Sequence, residues 1–158
     1  MERLWAPWRM EYILKCRQPG CFLCDAFQSA TDRENLIIKR STACALIMNR
    51  YPYSNGHLMV APYRHVDNVE GLRTEEQADM MALAAMACAR LREVVHAQGV
   101  NLGINQGVAA GAGLKDHIHL HIVPRWEGDT NFMPVLADVK VIPQPLLELW
   151  EQLHSAFR

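Results

Sequence analysis

The chain has 158 residues and a formal net charge of -1 at pH 7, with 50% hydrophobic and 21% charged residues. These values are typical of one soluble globular domain that buries its own core. The near-zero charge argues against nucleic acid or membrane surfaces as partners, although a local site for a small polyanion is compatible with it. The first residues lack the apolar core of a secretory signal, and no apolar run approaches the roughly 20 residues that span a bilayer. We therefore expect a cytoplasmic protein.

The chain begins with an aromatic-rich arm, residues 1–20, which contains Trp5, Trp8 and Arg9. Because tryptophan rings are large and apolar, we expect this arm to bury them on a partner subunit or over the functional site. After the arm, short apolar runs predict three strands. These strands cover residues 35–39, 43–48 and 57–62. The loop between the second and third strands, 49–56, is dense in turn-forming residues.

Helical periodicity predicts one long helix over residues 75–96. Thr74 is positioned to cap its N-terminus, with Gln77 closing a capping box, and Gly99 offers a left-handed stop beyond its end. The spacing predicts one apolar face on this helix. That face consists of Ala78, Met81, Ala85, Cys88, Leu91 and Val95.

The second half of the chain continues with a strand over 102–105, a glycine-rich loop over 107–113 and a strand over 117–123. Prolines then precede a C-terminal helical tail, 143–158. Its apolar face consists of Leu146, Leu149, Trp150, Leu153 and Phe157. We therefore predict a single α+β domain over residues 1–158, with a mainly antiparallel sheet of about five strands, one long helix and a C-terminal helix.

The last predicted strand alternates histidine with aliphatic residues for three periods. Alternate side chains of a strand share a face, so the imidazoles of His117, His119 and His121 line one side. Neutral imidazoles can bind metal, transfer protons or act as nucleophiles. A solvated strand face is the alternative, but three of only seven histidines in strict alternation fit chance poorly. No comparable pattern gives a partner to His57, and no role is assigned to it.

Asn105, Gln106 and the glycine-rich loop immediately precede these histidines. Glycines allow backbone N–H groups to approach phosphate oxygens closely and to form a concavity that holds anions. A glycine-rich loop alone is equally compatible with a simple connection between strands. Together, the loop and the histidines predict phosphate-binding groups beside a nucleophile.

The three alternating histidines followed by Ile-Val-Pro, with Asn-x-Gly and a glycine-rich loop before them, resemble the histidine-triad (HIT) superfamily. The resemblance extends from about Leu4 to Phe132. Within the superfamily, the chain is similar to the bacterial branch that resembles diadenosine tetraphosphate phosphorylase. The segments that carry this similarity are LWAPWR at 4–9, NRYPYSNGHLMV at 49–60 and PRW at 124–126, with Asn131 and Phe132 after them.

The resemblance implies that His119 attacks the α-phosphorus of a nucleotide and forms a covalent nucleotidyl-imidazole intermediate. It implies that His121 contacts phosphate oxygens during the reaction. Further phosphate-binding residues would be Asn105, Gln106, Gly111 and Gly113. Related enzymes often carry a serine or threonine hydroxyl shortly before the triad, whereas residues 111–115 contain none. Lys115 or the backbone alone would then interact with the phosphate.

Cys21 and Cys24 are spaced to place two thiolates on one metal, but two ligands do not complete a structural zinc site. Zinc-bearing members of the superfamily have a similar layout, which implies that His65 and His117 complete a closed Cys₂His₂ site. Two alternatives are metal-free reduced cysteines and a thioredoxin-like redox pair. The redox pair lacks the βαβ context that such motifs require.

Asn49 follows the second strand, where HIT proteins place an amide or acidic side chain against the ribose hydroxyls. A turn-forming role for this asparagine is equally compatible with the local sequence. Leu46 and Met48 are candidate apolar walls for a nucleotide base, and membership of the core is the alternative.

The resemblance implies an enzyme, a nucleotidyltransferase that cleaves diadenosine tetraphosphate with inorganic phosphate to give ATP and ADP. A hydrolase acting on dinucleoside polyphosphates or nucleoside phosphoramidates, with water as the acceptor, is the nearest alternative. A non-catalytic nucleotide-binding module is the second. The resemblance also implies a homodimer.

Overall fold

The computed structural model describes residues 20–129 and 141–158. The described helices are α1 (Phe22–Gln28), α2 (Asp32–Asn35), α3 (Thr74–Val94) and α4 (Leu146–Ala156). The described strands are β1 (Ile37–Arg40), β2 (Cys44–Met48), β3 (Leu58–Pro62), β4 (Gly99–Ile104) and β5 (Leu120–Arg125). The predicted aromatic arm, with Trp5, Trp8 and Arg9, lies outside the described residues, as do Asn131 and Phe132. No described helix has both the length and the apolar character needed to cross a bilayer.

The five strands form one sheet in the order β1-β2-β3-β5-β4, and every neighbouring pair is antiparallel. Helix α3 packs on β2, β3 and β5, and α4 packs on α3 and β1. The predicted α+β class, with five antiparallel strands, one long helix and a C-terminal helix, is confirmed. The predicted apolar face of the C-terminal helix is also correct. Its buried members are Leu149, Trp150, Leu153 and Phe157.

The largest differences from the predicted strand boundaries are at the starts of β4 and β5. Strand β4 begins at Gly99 instead of residue 102, and the left-handed position after α3 is His96, with φ 53°. The prediction that Gly99 stops the helix is therefore wrong. Strand β5 begins at Leu120, so His117 and His119 precede it. Here the backbone pairs with the loop after β3, because the N–H of Ile118 donates to the carbonyl of Val66 at 2.7 Å.

The N-terminus of α3 also differs from the prediction. The helix begins at Thr74, and Arg73 is the capping residue. The backbone N–H of Arg73 donates to the Glu76 carboxylate at 2.8 Å, so Glu76 has the role that was predicted for Gln77. The capping box is shifted by one residue from its predicted position because a residue distant in the sequence determines where it forms. Arg64, from the segment after β3, pairs with Glu76 and holds this carboxylate at the helix end.

The predicted apolar face of α3 is largely wrong. Met81 is 56% exposed, and only Leu91 is a fully buried member of the predicted set. The face that packs on the sheet consists of Met80, Leu83, Ala84, Ala87 and Leu91. Both sides of this helix carry alanine and methionine, so periodicity alone does not distinguish them. Contact with the sheet decides which side is buried.

The register between strands assigns residues to the two faces of the sheet, since directly paired residues of antiparallel strands project to the same side. Leu46, Val60 and Leu120 are paired across three strands. Cys44 lies two residues before Leu46 and shares its face. Its Sγ is 3.5 Å from the backbone oxygen of Glu76 in α3. This side is therefore the helix-covered face.

The opposite side is the histidine face of the sheet. Ile47 of β2 pairs with Met59 of β3, and Met59 pairs with His121 of β5. These three residues therefore project away from α3. Helix α3 packs on the other side, so the catalytic candidates lie on the side of the sheet that this helix does not cover.

Candidate active site

One ring nitrogen of His119 is hydrogen-bonded to the backbone, which leaves the other ring nitrogen for a reaction. Its Nδ1 lies 2.9 Å from the backbone oxygen of His117. A carbonyl oxygen only accepts, so Nδ1 carries the proton and donates it. Burial to 6% exposure lowers the pKa of His119, which keeps its ring neutral at pH 7. The lone pair of a nucleophilic imidazole is therefore on Nε2.

His121 lies beside this nucleophile candidate, with ring centroids 4.7 Å apart and the planes nearly perpendicular. Burial, with a contribution from the neighbouring His119, lowers the pKa of His121 to about 4. Both rings are therefore neutral at pH 7. The structure brings the two predicted catalytic residues together.

His57 is a third member of this group, and sequence reasoning missed it. Its ring is 1% exposed, and its Nε2 lies 2.9 Å from Nδ1 of His121. Burial lowers the pKa of His57 to about 3, with contributions from His121 and His119. The missing signal was the pairing of β3 with β5, which brings the residue before β3 next to the triad.

The glycine-rich loop that precedes the histidines in the chain makes an open turn. Gly107 and Gly111, with φ 82° and 84°, flank a 3₁₀ turn over Val108–Ala110. A non-glycine residue is disfavoured in this left-handed region. A Cβ at either glycine would meet no described atom within 4 Å, so the backbone there is open to a ligand. Gly113 is exposed in the same loop.

The two polar residues before the loop have different surroundings. Asn105 directly follows β4 and is half-buried. The amide of Gln106 contacts the segment after β3. Its Oε1 accepts from the N–H of Val69 at 3.0 Å, and its Nε2 donates to Glu70 at 3.1 Å. Gln106 therefore connects the loop to this segment, and its predicted contact with a leaving group stays a prediction.

The predicted walls of the nucleoside pocket require a correction. Leu46 and Met48 lie on the helix-covered face and do not share a side of the sheet with His121. All five residues of β2 are buried, so the strand shows no alternation from which its two faces could be told apart. The apolar β2 and β3 side chains on the histidine face are Ala45, Ile47, Met59 and Ala61.

Asn49 lies at the end of β2, where it shapes the following loop. Its Oδ1 accepts from the N–H of Tyr51 at 2.9 Å, and its Nδ2 lies 3.4 Å from Nδ1 of His57. The turn-forming role that the sequence left open is thus present. A contact with ribose hydroxyls stays a prediction.

The four predicted metal ligands converge. One ligand atom from each of Cys21, Cys24, His65 and His117 lies within 4.8 Å of every other. Sγ of Cys21 is 3.2 Å from Nδ1 of His117, and Sγ of Cys24 is 3.3 Å from Nδ1 of His65. A tetrahedral zinc ion with ordinary bond lengths requires ligand separations of roughly 3.3–3.8 Å. The donor set and its spacing fit zinc.

The protonation of these groups favours a cation. Nε2 of His117 lies 2.9 Å from the backbone oxygen of Pro62 and donates to it, which leaves the Nδ1 lone pair facing the thiols. Burial, followed by the contact with Cys21, raises the pKa of the Cys24 thiol to about 11. A bound cation would offset this penalty by stabilising the thiolate. His117 also connects the cluster to the nucleophile, because its own carbonyl holds Nδ1 of His119.

Taken with this geometry, the comparisons with known proteins define the class. The chain matches the HIT domain over residues 30–128 and belongs to the HIT domain family. It is 39% identical over 154 residues to the AP-4-A phosphorylase of Mycobacterium tuberculosis, which covers 92% of this chain and 79% of that protein.

Other relatives extend the comparison. The chain is 31% identical over 93 residues to the bis(5'-nucleosyl)-tetraphosphatase (asymmetrical) of Schizosaccharomyces pombe, covering 59% of this chain and 50% of that protein. The fold matches the crystal structure of a Zn-bound histidine triad family protein from Mycobacterium smegmatis with a TM-score of 0.69 and 27% identity. That match covers 87% of this chain and 92% of the other. The family and the fold inferred from the histidine motif are confirmed.

Proposed function

We propose that the protein is a HIT-type nucleotidyltransferase that cleaves dinucleoside polyphosphates, with diadenosine tetraphosphate as the preferred substrate and inorganic phosphate as the acceptor. The observation that carries the proposal is the state of His119. Its Nδ1–H is bound to a backbone carbonyl, and its neutral Nε2 is the nitrogen left for attack. The open glycine turn that precedes it in the chain would hold the phosphate chain.

The first half of the reaction transfers an adenylyl group to the protein. The Nε2 lone pair of His119 attacks the α-phosphorus, an N–P bond forms and the P–O bond to the remaining polyphosphate breaks. ATP leaves with the electron pair of that bond. The ring in the intermediate is positively charged, and its Nδ1–H still donates to the carbonyl of His117, which stabilises the charge.

The second half regenerates the enzyme. An oxygen of inorganic phosphate attacks the adenylyl phosphorus, the N–P bond breaks and ADP leaves. The electron pair of the broken bond returns to Nε2 of His119, and the proton of the attacking phosphate passes to solvent. His121 and the backbone at Gly111 would bind the phosphoryl oxygens in both halves.

The relatives support this substrate class and differ in the acceptor that their names imply. The more similar protein is named a phosphorylase, and the match to it covers most of both chains. The relative named a tetraphosphatase matches over a shorter segment. The longer and closer match favours phosphate over water as the acceptor.

Product analysis with and without inorganic phosphate tests the proposal. Diadenosine tetraphosphate should give ATP and ADP in equal amounts, with ADP appearing only when phosphate is present. Formation of AMP and ATP regardless of phosphate would identify a hydrolase instead. Nucleotide binding without turnover under any condition would identify a binding module.

We also propose that Cys21, Cys24, His65 and His117 hold a structural zinc ion. When bound, zinc neutralises the two thiolates and crosslinks α1 to the segment that precedes β5. Metal analysis of protein purified without chelator should give one zinc per chain, and Cys24→Ala should abolish the metal content. A substoichiometric metal content in the wild-type protein would contradict the zinc proposal.

A homodimer is proposed as the assembly. Strand β4 is one of the two edge strands of the described sheet, and Leu102 is exposed on it. Exposed edge strands with apolar side chains favour pairing with another chain. Light scattering should give twice the monomer mass, and Leu102→Lys should lower the dimer fraction. A monomer at micromolar concentration would contradict this assignment.

A further inference from the structure

His57 receives hydrogen bonds at Nδ1 from the loop that precedes it. The backbone N–H of Tyr53 lies 3.0 Å from this nitrogen, and the Asn49 amide nitrogen lies 3.4 Å from it. A ring nitrogen that accepts a hydrogen bond does not carry a proton. A neutral His57 therefore carries its single ring proton on Nε2.

This proton determines the state of the next ring. Nε2 of His57 lies 2.9 Å from Nδ1 of His121, so His57 donates and His121 accepts. Nδ1 of His121 is thereby unprotonated. The single proton of a neutral His121 is then on Nε2.

We propose that His57 is a positioning residue that holds His121 in the tautomer with its proton on Nε2, the form that donates a hydrogen bond to the phosphate oxygens of the substrate. The inference rests on the proposed nucleotidyl transfer for its benefit to the reaction. It gives a role to a buried histidine that the motif itself does not contain.

The consequence is that two neighbouring rings are held in opposite tautomers. His119 has its proton on Nδ1 and presents a lone pair at Nε2, whereas His121 has a lone pair on Nδ1 and presents a proton at Nε2. One ring can attack phosphorus while the other donates to an oxygen of the same phosphate. Neither ring has to be charged before the reaction begins.

The Nε2–H donor of His121 is significant because the preceding loop lacks a hydroxyl group. Residues 111–115 contain no hydroxyl side chain that could donate to the phosphate. The N–H of His121 supplies a neutral donor in that region. Its direction depends on His57, because an imidazole with both nitrogens unconstrained exchanges its proton between them.

The side chain of Tyr53 shields His57, in addition to the hydrogen bond that its backbone N–H donates. Its ring stacks on His57, with centroids 4.7 Å apart and planes inclined by 27°. Together with the burial of His57, this stacking limits the access of water, which would otherwise compete for the ring nitrogens. The backbone and the side chain of Tyr53 therefore have separate effects that substitutions can distinguish.

The test is the tautomer of His121 in the substrate-free protein, read by NMR from the ¹⁵N shifts of its ring. In the wild type, Nε2 should be protonated and Nδ1 should not. His57→Leu removes the donor, so the Nδ1–H form of His121 should become populated. kcat should fall by about 10- to 100-fold, with a smaller change in KM, as expected for loss of one hydrogen bond to a charged group. His57→Gln places an amide N–H near the position of the former Nε2. It should partly restore both the Nε2–H tautomer of His121 and kcat.

His154→Leu is the matched control, since this histidine stacks on Trp150 and donates to the backbone oxygen of Ile38, away from the site. It should leave the His121 tautomer and kcat unchanged. If His57→Leu does not fold, Tyr53→Pro combined with Asn49→Leu removes both N–H donors to Nδ1 of His57, whereas Tyr53→Ala combined with Asn49→Leu keeps the backbone donor. Only the variant that lacks both donors should change the tautomer.

A His121 that keeps the Nε2–H tautomer in His57→Leu, or in the variant that lacks both N–H donors to His57, would overturn the inference. So would a wild-type His121 protonated on Nδ1. The NMR measurement needs no substrate. A failure of the proposed function would appear separately, as a wild-type protein that does not turn over diadenosine tetraphosphate.

Discussion

The two faces of the sheet contain residues of very different character, although the same strands supply both. The helix-covered face is a continuous apolar layer, in which residues such as Leu46 and Leu120 pack beneath α3. The histidine face buries polar rings, and each buried imidazole there has a partner that determines where its proton lies. Burial on the first face supplies stability because apolar area leaves water. Burial on the second sets protonation states, so the two faces can be perturbed independently.

The largest expected effect is on the histidine face. His119→Asn should lower turnover of diadenosine tetraphosphate by at least about 10³-fold, because the variant lacks the nitrogen that forms the covalent bond. The melting temperature should change little. His96→Asn is the matched control, because His96 is exposed and asparagine tolerates its positive φ. Turnover by His119→Asn within tenfold of wild type would contradict the assigned nucleophile.

Removing volume beneath α3 should have the next largest effect, and it should be on stability. Leu46→Ala should lower the free energy of unfolding by about 2–5 kcal/mol, since Leu46 is fully buried in the core. The KM of the folded enzyme should be unchanged, because Leu46 faces away from His121. Ile47→Ala, one residue along and on the histidine face, should instead raise KM. Denaturant titration together with steady-state kinetics separates the two outcomes, and a raised KM in Leu46→Ala would put that residue back in the nucleoside pocket.

The histidine face should also make stability depend on pH. The folded state lowers the pKa of His57 to about 3 and that of His121 to about 4, from the ordinary histidine value of 6.5. Between these values and 6.5 the unfolded chain binds more protons than the folded one, so the free energy of unfolding decreases as the pH falls from about 6.5 toward 4. His57→Gln should show a shallower decrease than the wild type in urea titrations. An equal slope in both proteins would contradict the folded-state pKa of His57.

The smallest effect is expected away from both faces. Arg33 of α2 and Glu151 of α4 form an ion pair with both side chains exposed. Exposed pairs of this kind contribute about 0–1 kcal/mol. Arg33→Ala should therefore change neither kcat nor the midpoint of unfolding appreciably. A large loss of either would mean that the helical side is coupled to the site more strongly than the packing indicates.

The difference between the two faces of the sheet also explains which features could be predicted from the sequence. The alternation of histidine with aliphatic residues predicted which side chains share a face, because period-two patterns are local. Strand β2 gave no such information, since all five of its residues are buried, so the sequence left Leu46 and Met48 open between a base pocket and the core. In α3, alanine and methionine on both sides made the buried face depend on contacts that periodicity does not contain.

The candidate site, too, could be predicted from the sequence only in part. The four metal ligands could be proposed from the family layout, and the structure brings them together. His57 could not be found in this way, because its partner is 64 residues further along the chain. Its role depends on the register of β3 with β5 and on one backbone N–H from the loop before it. The proton position of His121 is thus set by a neighbour that is distant in the sequence, whereas that of His119 is set by the carbonyl of His117 within the motif.

The most direct measurement is to trap the covalent intermediate. Wild-type protein mixed with diadenosine tetraphosphate in the absence of inorganic phosphate, quenched within one turnover under conditions that preserve N–P bonds and digested, should show one adenylyl group on the peptide that contains His119. The adduct should disappear when phosphate is added, with ADP formed in equal amount, and His119→Asn should show none. Product formation without an adduct on this peptide, or an adduct on another residue, would contradict nucleophilic catalysis by His119.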